Sequence, residues 1–114
     1  MREPSELPLV VFVDVDDTLI RSFGSKRIAM SHAVERVRQL HADGVQLYCW
    51  SSGGGDYARE SAREVGLEGC FLGFLPKPHV LIDDVLVERW PLVELHPNEA
   101  ASVATDDLRA RAGR

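Results

Sequence analysis

Val10-Val11-Phe12-Val13-Asp14-Val15-Asp16-Asp17-Thr18-Leu19 is the stretch that decides the fold. Four apolar residues run directly into three carboxylates. An unbroken apolar run of this kind predicts a strand buried on both faces. Carboxylates cannot follow it into the core, because an unpaired buried charge is too costly. They must sit where the strand leaves the core, at an open edge. Three negative groups there repel one another unless a cation joins them, and oxygen-only ligands suit Mg2+.

Outward from this stretch the chain alternates. Residues 9–13 form the first strand, and a loop over 17–25 ends at Gly24 and Ser25. Ser25 is placed as the N-cap of a helix over 26–43. That helix carries Ile28, Met30, Ala33, Val34, Val37, Leu40 and His41 at helical spacing, and Gly44 ends it. A second strand over 45–50 runs into Ser51-Ser52-Gly53-Gly54-Gly55. A second helix follows over 56–65, with Tyr57, Ala58, Ala62 and Val65 as its inner face.

A short third strand is expected within 70–75. Lys77 stands between Pro76 and Pro78, and a further strand at 80–82 delivers Asp83-Asp84. Residues 85–90 read as a turn and edge strand, 93–95 as another short strand, and 98–114 as a final helix that frays over 110–114. Residues 1–8 read as a loose lead-in. Strand–helix alternation predicts an α/β fold with a parallel sheet and helices packed on its faces. Ligands in such sheets bind beyond the carboxyl ends of the strands. The polar clusters at Asp14–Thr18, Ser51-Ser52 and Asp83-Asp84 all fall there.

The bulk numbers agree with one domain over 1–114. Hydrophobic residues make up 45% and charged residues 27%, ordinary values for a globular chain. The formal net charge is −5, and Asp14, Asp16, Asp17, Asp83 and Asp84 account for all of it. The rest of the chain is balanced, which argues against a broad basic nucleic-acid surface. No apolar run reaches membrane-spanning length, and the first residues lack a signal-peptide pattern. Cys49 and Cys70 form neither a disulfide framework nor a CxxC site, so a reduced cytoplasmic setting is expected. His32, His41, His79 and His96 show no metal-ligand spacing.

Asp14-Val15-Asp16-Asp17-Thr18, the run Leu47-Tyr48-Cys49-Trp50-Ser51, Lys77, and Asp83-Asp84 occur in an order that resembles the haloacid dehalogenase (HAD) superfamily of phosphatases. The resemblance covers about residues 9–84 and implies a three-layer, Rossmann-like parallel sheet flanked by helices. The short intervals between the clusters leave no room for a cap domain, only for a small flap near 19–25.

By this resemblance the chain is a Mg2+-dependent phosphomonoester hydrolase. Asp14 is the nucleophile that forms an aspartyl-phosphate, and Asp16 is the general acid and base. Ser51, the backbone N–H groups of Ser52 and Gly53, and Lys77 bind the phosphate. Asp14, Asp16 through its carbonyl, and Asp83 or Asp84 hold the metal, while Thr18 shapes the Asp14 loop.

Asp17 points away from Asp14 and Asp16 in the alternation, so it is read as structural. Tyr48 and Trp50 are read as packing residues, and Arg21 and His79 as candidate substrate contacts flanking the site loops. Two alternatives share the same residues: a non-catalytic binding or regulatory module, and a receiver-like phosphoacceptor domain. An open, capless site suits a phosphorylated substrate as large as a macromolecule. A homo-oligomer could supply the missing wall, with the apolar 85–95 segment as its surface.

Overall fold

The computed structural model describes residues 7–114. The lead-in expected over 1–8 therefore lies outside the described residues up to position 6. Three strands form a parallel sheet in the order β1 (Val10–Asp14), β4 (Gln46–Ser51), β5 (Gly73–Pro76). A separate two-stranded antiparallel hairpin, β2 (Ile20–Phe23) and β3 (Lys26–Ala29), stands between β1 and the first helix. The helices are α1 (Ser31–Ala42), α2 (Gly55–Glu64), α3 (Pro97–Ala100) and α4 (Thr105–Ala112). The chain is thus a mixed α/β fold with a small parallel sheet.

The strand order fixes where the helices lie. Both crossovers, β1–α1–β4 and β4–α2–β5, step across the sheet in the same direction. Right-handed connections then put α1 and α2 on the same face. The burial of β4 shows this division residue by residue. Leu47, Cys49 and Ser51 are buried, whereas Tyr48 and Trp50 between them are only half-buried. The core gathers Leu47 and Cys49 with Val15 and Leu19, with Ala33, Val34, Val37 and Leu40 of α1, and with Ala58 and Ala62 of α2.

The opposite face stays open. Val10 is 48% exposed, Phe12 43% and Leu75 39%. On that face Phe12 packs against Tyr48 and Trp50, at centroid distances of 5.2 and 4.9 Å. Helices α3 and α4 do not cover it; they extend the helical layer beside α1. Arg36 donates to the carbonyl of Ala101 at 2.8 Å, and Thr105 donates to Asp43 at 2.6 Å. Val103 and Leu108 enter the core there. The expected third layer is therefore not formed by the described residues.

Two local expectations are also corrected. The first helix begins at Ser31, not at residue 26, because 26–29 pair as β3. Gly24-Ser25 is the two-residue loop of the hairpin, and Gly24 has the positive φ of 59° that such a loop requires. Ser25 is therefore a turn residue and caps no helix. The hairpin occupies the place where a small flap was expected.

Residues 80–82 join neither sheet. Val80 is 77% exposed and Ile82 96%. An apolar run gains strand structure only where an edge receives it, and here the chain leaves the sheet after Pro76 and Pro78. The strands expected at 85–90 and 93–95 are likewise absent among the described residues; a short 3-10 turn at Val87–Arg89 replaces the first. The final helix divides into α3 and α4.

Candidate functional site

β1 delivers Asp14 to the carboxyl end of the sheet, half-buried and level with Trp50 of β4. Both carboxylate oxygens are engaged. Lys77 Nζ lies 3.0 Å from Oδ1, and Thr18 Oγ1 donates to Oδ2 at 3.2 Å. The lysine ammonium also sits 5.9 Å from the Trp50 ring centroid. Lys77 gets there because its own N–H donates to the carbonyl of Ser51 at 2.9 Å, which prolongs the β4–β5 pairing by one residue. Lys77, expected to bind a phosphate, is thus brought to Asp14 as a direct ion pair.

The turn after β1 is wound around one carbonyl. Val15 O accepts from the N–H groups of Thr18, Leu19 and Ile20 at 2.8 to 3.2 Å. Val15 and Leu19 are fully buried, which pins both ends of the turn. Asp17 adopts a left-handed backbone with φ of 60° and donates its N–H to Ile20 O at 2.8 Å. Its contribution is to the shape of the turn, and Thr18 ties that turn to Asp14.

Ser51 ends β4 with 1% exposure. Its Oγ accepts from the N–H of Gly53 at 3.0 Å, and its carbonyl accepts from Gly54 and Lys77. Ser52 and Gly53 are exposed in the loop that leads into α2. Gly53 is required for packing: a Cβ there would come within 2.9 Å of the Tyr57 ring.

Asp16 is exposed and takes a partner absent from the sequence reading. Tyr57, in the first turn of α2, donates to its Oδ1 at 2.6 Å. Arg27 of β3 donates to the Tyr57 oxygen at 2.8 Å, to Ser61 at 2.9 Å and to Glu64 at 3.0 Å. Hydrogen bonding to Tyr57 and Glu64 raises the Arg27 pKa further above its already high value, so the fork is permanently charged. The hairpin is thereby clamped across to α2, close to Asp16. No local pattern signals this contact, since Arg27 and Tyr57 are 30 residues apart and Tyr57 and Asp16 are 41 apart.

Asp83 and Asp84 are not brought to the site. Both are exposed beyond the unpaired 80–82 segment, and Asp83 accepts from its own neighbour, the N–H of Val85, at 2.8 Å. Among the described residues no group of three or more His, Cys, Asp or Glu is gathered to hold a metal. The expected metal set of Asp14, Asp16, Asp83 and Asp84 is therefore not assembled, because the strand meant to carry its second half does not enter the sheet. Instead Lys77 and Thr18 occupy the Asp14 oxygens. Arg21 lines a cavity of about 300 Å3 between the hairpin and the start of α1, and that lining includes neither Asp14 nor Lys77. His79 is exposed past Pro78. Tyr48 and Trp50 act as packing residues on the open face.

The model of a family described as "Protein of unknown function (DUF705)" matches residues 1–79. The chain belongs to that family. A DUF705-family relationship overturns the haloacid dehalogenase resemblance drawn from the order of the acidic and hydroxyl clusters. A curated relative is the "Uncharacterized 38.0 kDa protein in P143-LEF5 intergenic region" of Autographa californica nuclear polyhedrosis virus. It is 38% identical over 64 residues, which cover 56% of this chain and 20% of that protein. The chain thus corresponds to a small part of that relative. No solved structure matches the chain. No helix among the described residues is long and apolar enough to cross a membrane.

Proposed function

We propose that this DUF705 chain is a phosphomonoester hydrolase working through an aspartyl-phosphate on Asp14, with Asp16 as general acid and base. The β1–α1–β4–α2–β5 order is read, within the same proposal, as half of a Rossmann-like sheet. The observation that carries the reading is the ion pair of Asp14 with Lys77 at the carboxyl end of β1. A carboxylate approaches a phosphate dianion only where its repulsion is offset, and a lysine 3.0 Å away supplies that offset at the reacting oxygen. Lys77 then bridges the carboxylate and an incoming phosphate oxygen.

The reaction has two steps. In the first, an oxygen of Asp14 attacks phosphorus and the bond to the leaving oxygen breaks, while Asp16 transfers its proton to that oxygen. In the second, Asp16 takes a proton from a water that attacks the same phosphorus. The bond to Asp14 breaks, and inorganic phosphate and the free carboxylate are released. Thr18 holds Asp14 in place. The start of α2 offers the positive end of a helix dipole to the phosphate, while the N–H groups of Gly53 and Gly54 are already given to Ser51. Mg2+ belongs to the proposal as a cofactor, although the groups expected to hold it, the Asp14 carboxylate, the Asp16 carbonyl and Asp83 or Asp84, are not gathered among the described residues.

The site adjoins the uncovered sheet face of Phe12, Tyr48, Trp50 and Leu75, which suits a bulky phosphorylated substrate. The test is phosphate release from aryl, alkyl, nucleotide and phosphopeptide substrates, with and without Mg2+. Asp14→Asn should lower turnover by at least about a thousandfold, the scale on which loss of a nucleophile acts. Equal turnover by the two proteins would remove Asp14 from the mechanism.

A further inference from the structure

We propose that Tyr57 is the positioning residue for Asp16, aimed by Arg27 from the hairpin; this rests on the hydrolase reading above. A tyrosine hydroxyl has one hydrogen to give and lone pairs to receive with. Arg27 can only donate, and it donates to the Tyr57 oxygen at 2.8 Å. The tyrosine hydrogen is thereby committed to the other neighbour, Asp16 Oδ1, at 2.6 Å. The chain of donors runs one way, Arg27 to Tyr57 to Asp16, and successive polarised bonds of this kind reinforce one another.

The arrangement fixes which oxygen of Asp16 does chemistry. Oδ1 is held by Tyr57, so the proton that meets the leaving group is carried on Oδ2. Without the tyrosine an exposed aspartate samples several rotamers, and proton transfer requires its oxygen within hydrogen-bond reach of the departing atom. Two further features reserve the place of the ring. Gly53 leaves room for it, since a Cβ there would lie 2.9 Å from Cδ2. The Arg27 guanidinium, 5.3 Å from the ring centroid, is itself anchored on buried Ser61 and on Glu64. The hairpin therefore does more than fill the place of a flap: Arg27, the second residue of β3, puts one guanidinium where it orients the acid.

The test is a leaving-group comparison on the purified full chain. A nitrophenolate departs without a proton, whereas an alkoxide needs one. Tyr57→Phe keeps the ring in its space and removes only the hydroxyl. It should slow single-turnover release of the alcohol from an alkyl phosphate, which reads the first step alone, by roughly 10- to 100-fold, part of what a general acid contributes. Single-turnover release of p-nitrophenolate should change less than about threefold, because that departure needs no proton; the later water attack, in which Asp16 is the base, is common to both substrates and slows equally for both. Asp16→Asn should show the same selectivity in stronger form, and Gly53→Ala should reproduce it by displacing the ring. Equal losses on both substrates, or no loss on either, would overturn the positioning role while leaving the hydrolase reading intact. A wild-type protein that hydrolyses neither substrate would overturn both, so the two failures are distinguishable.

Discussion

Arg27→Met offers a test of the clamp between hairpin and α2 that does not depend on any activity. Methionine keeps the apolar stem and loses the fork. Three bonds disappear: to Ser61 at 2.9 Å, to Tyr57 at 2.8 Å and to Glu64 at 3.0 Å. They are unequal. Ser61 is 1% exposed, so its hydroxyl is left without this partner in a buried position, at a cost of about 1–3 kcal/mol. The Glu64 side chain is 48% exposed, and that ion pair contributes under about 1 kcal/mol after solvent screening. A loss of about 2 kcal/mol is expected. With an unfolding entropy of about 2.1 cal/mol/K per residue, that lowers Tm by roughly 8 °C. Hydrogen exchange should also quicken in the β2–β3 amides before the amides of β4, because the hairpin has few other anchors. Arg27→Lys should behave like Arg27→Met, since an ammonium cannot form the fork. A Tm within about 2 °C of wild type, with unchanged hairpin exchange, would refute the clamp.

Two other perturbations test the fold. Burial, with the charge of Asp14 as a smaller cause, pushes the Cys49 thiol up to about 12. A raised folded-state value means the folded chain keeps its proton after the unfolded chain has lost it. The resulting stability is complete below about pH 9 and is lost as pH rises toward 12, at up to about 1.4 kcal/mol per pH unit. Urea unfolding of wild type and Cys49→Ala between pH 8 and 11 should show the steeper decline in wild type; parallel curves would count against it. Ile82→Ser should change stability by less than about 0.5 kcal/mol, because its side chain is 96% exposed. A loss of 2 kcal/mol or more in chemical denaturation would mean that 80–82 is a buried strand after all.

How much of this was legible in the sequence depends on how local each decision is. The apolar runs ending at Asp14 and Ser51 became adjacent parallel strands, because a run of β-branched and aromatic residues between turn signals has few other uses. The C-terminal ends of α1 and α2 follow from local signals to within a few residues, since glycines at 44 and 66 come just after them. The hairpin was missed although Gly24-Ser25 is a hairpin signal. Ile28 and Met30 also fitted the 3.6-residue period of the following helix, and four-residue strands give alternation little room to compete. Residues 80–82 read as a strand for the same reason as 10–13, but pairing is decided by a distant edge that no local pattern encodes. The candidate site divides in the same way. Asp14 and Lys77 meet, since each sits where a strand ends, and the turn around Val15 O folds Thr18 back onto Asp14. Asp83 and Asp84 do not, since their placement depended on the missing strand. Tyr57 and Arg27 reach Asp16 only through tertiary packing.

Placing both crossover helices on one side of the sheet has a thermal consequence. Folding here removes less apolar surface from water than it would with the second side covered, since Val10, Phe12 and Leu75 stay wet. The heat capacity gained on unfolding follows that surface, so it should fall below the roughly 12–15 cal/mol/K per residue typical of globular proteins. The stability curve is correspondingly shallow. Warming or cooling around its maximum should therefore change stability less than in a domain of equal size with both sheet faces covered.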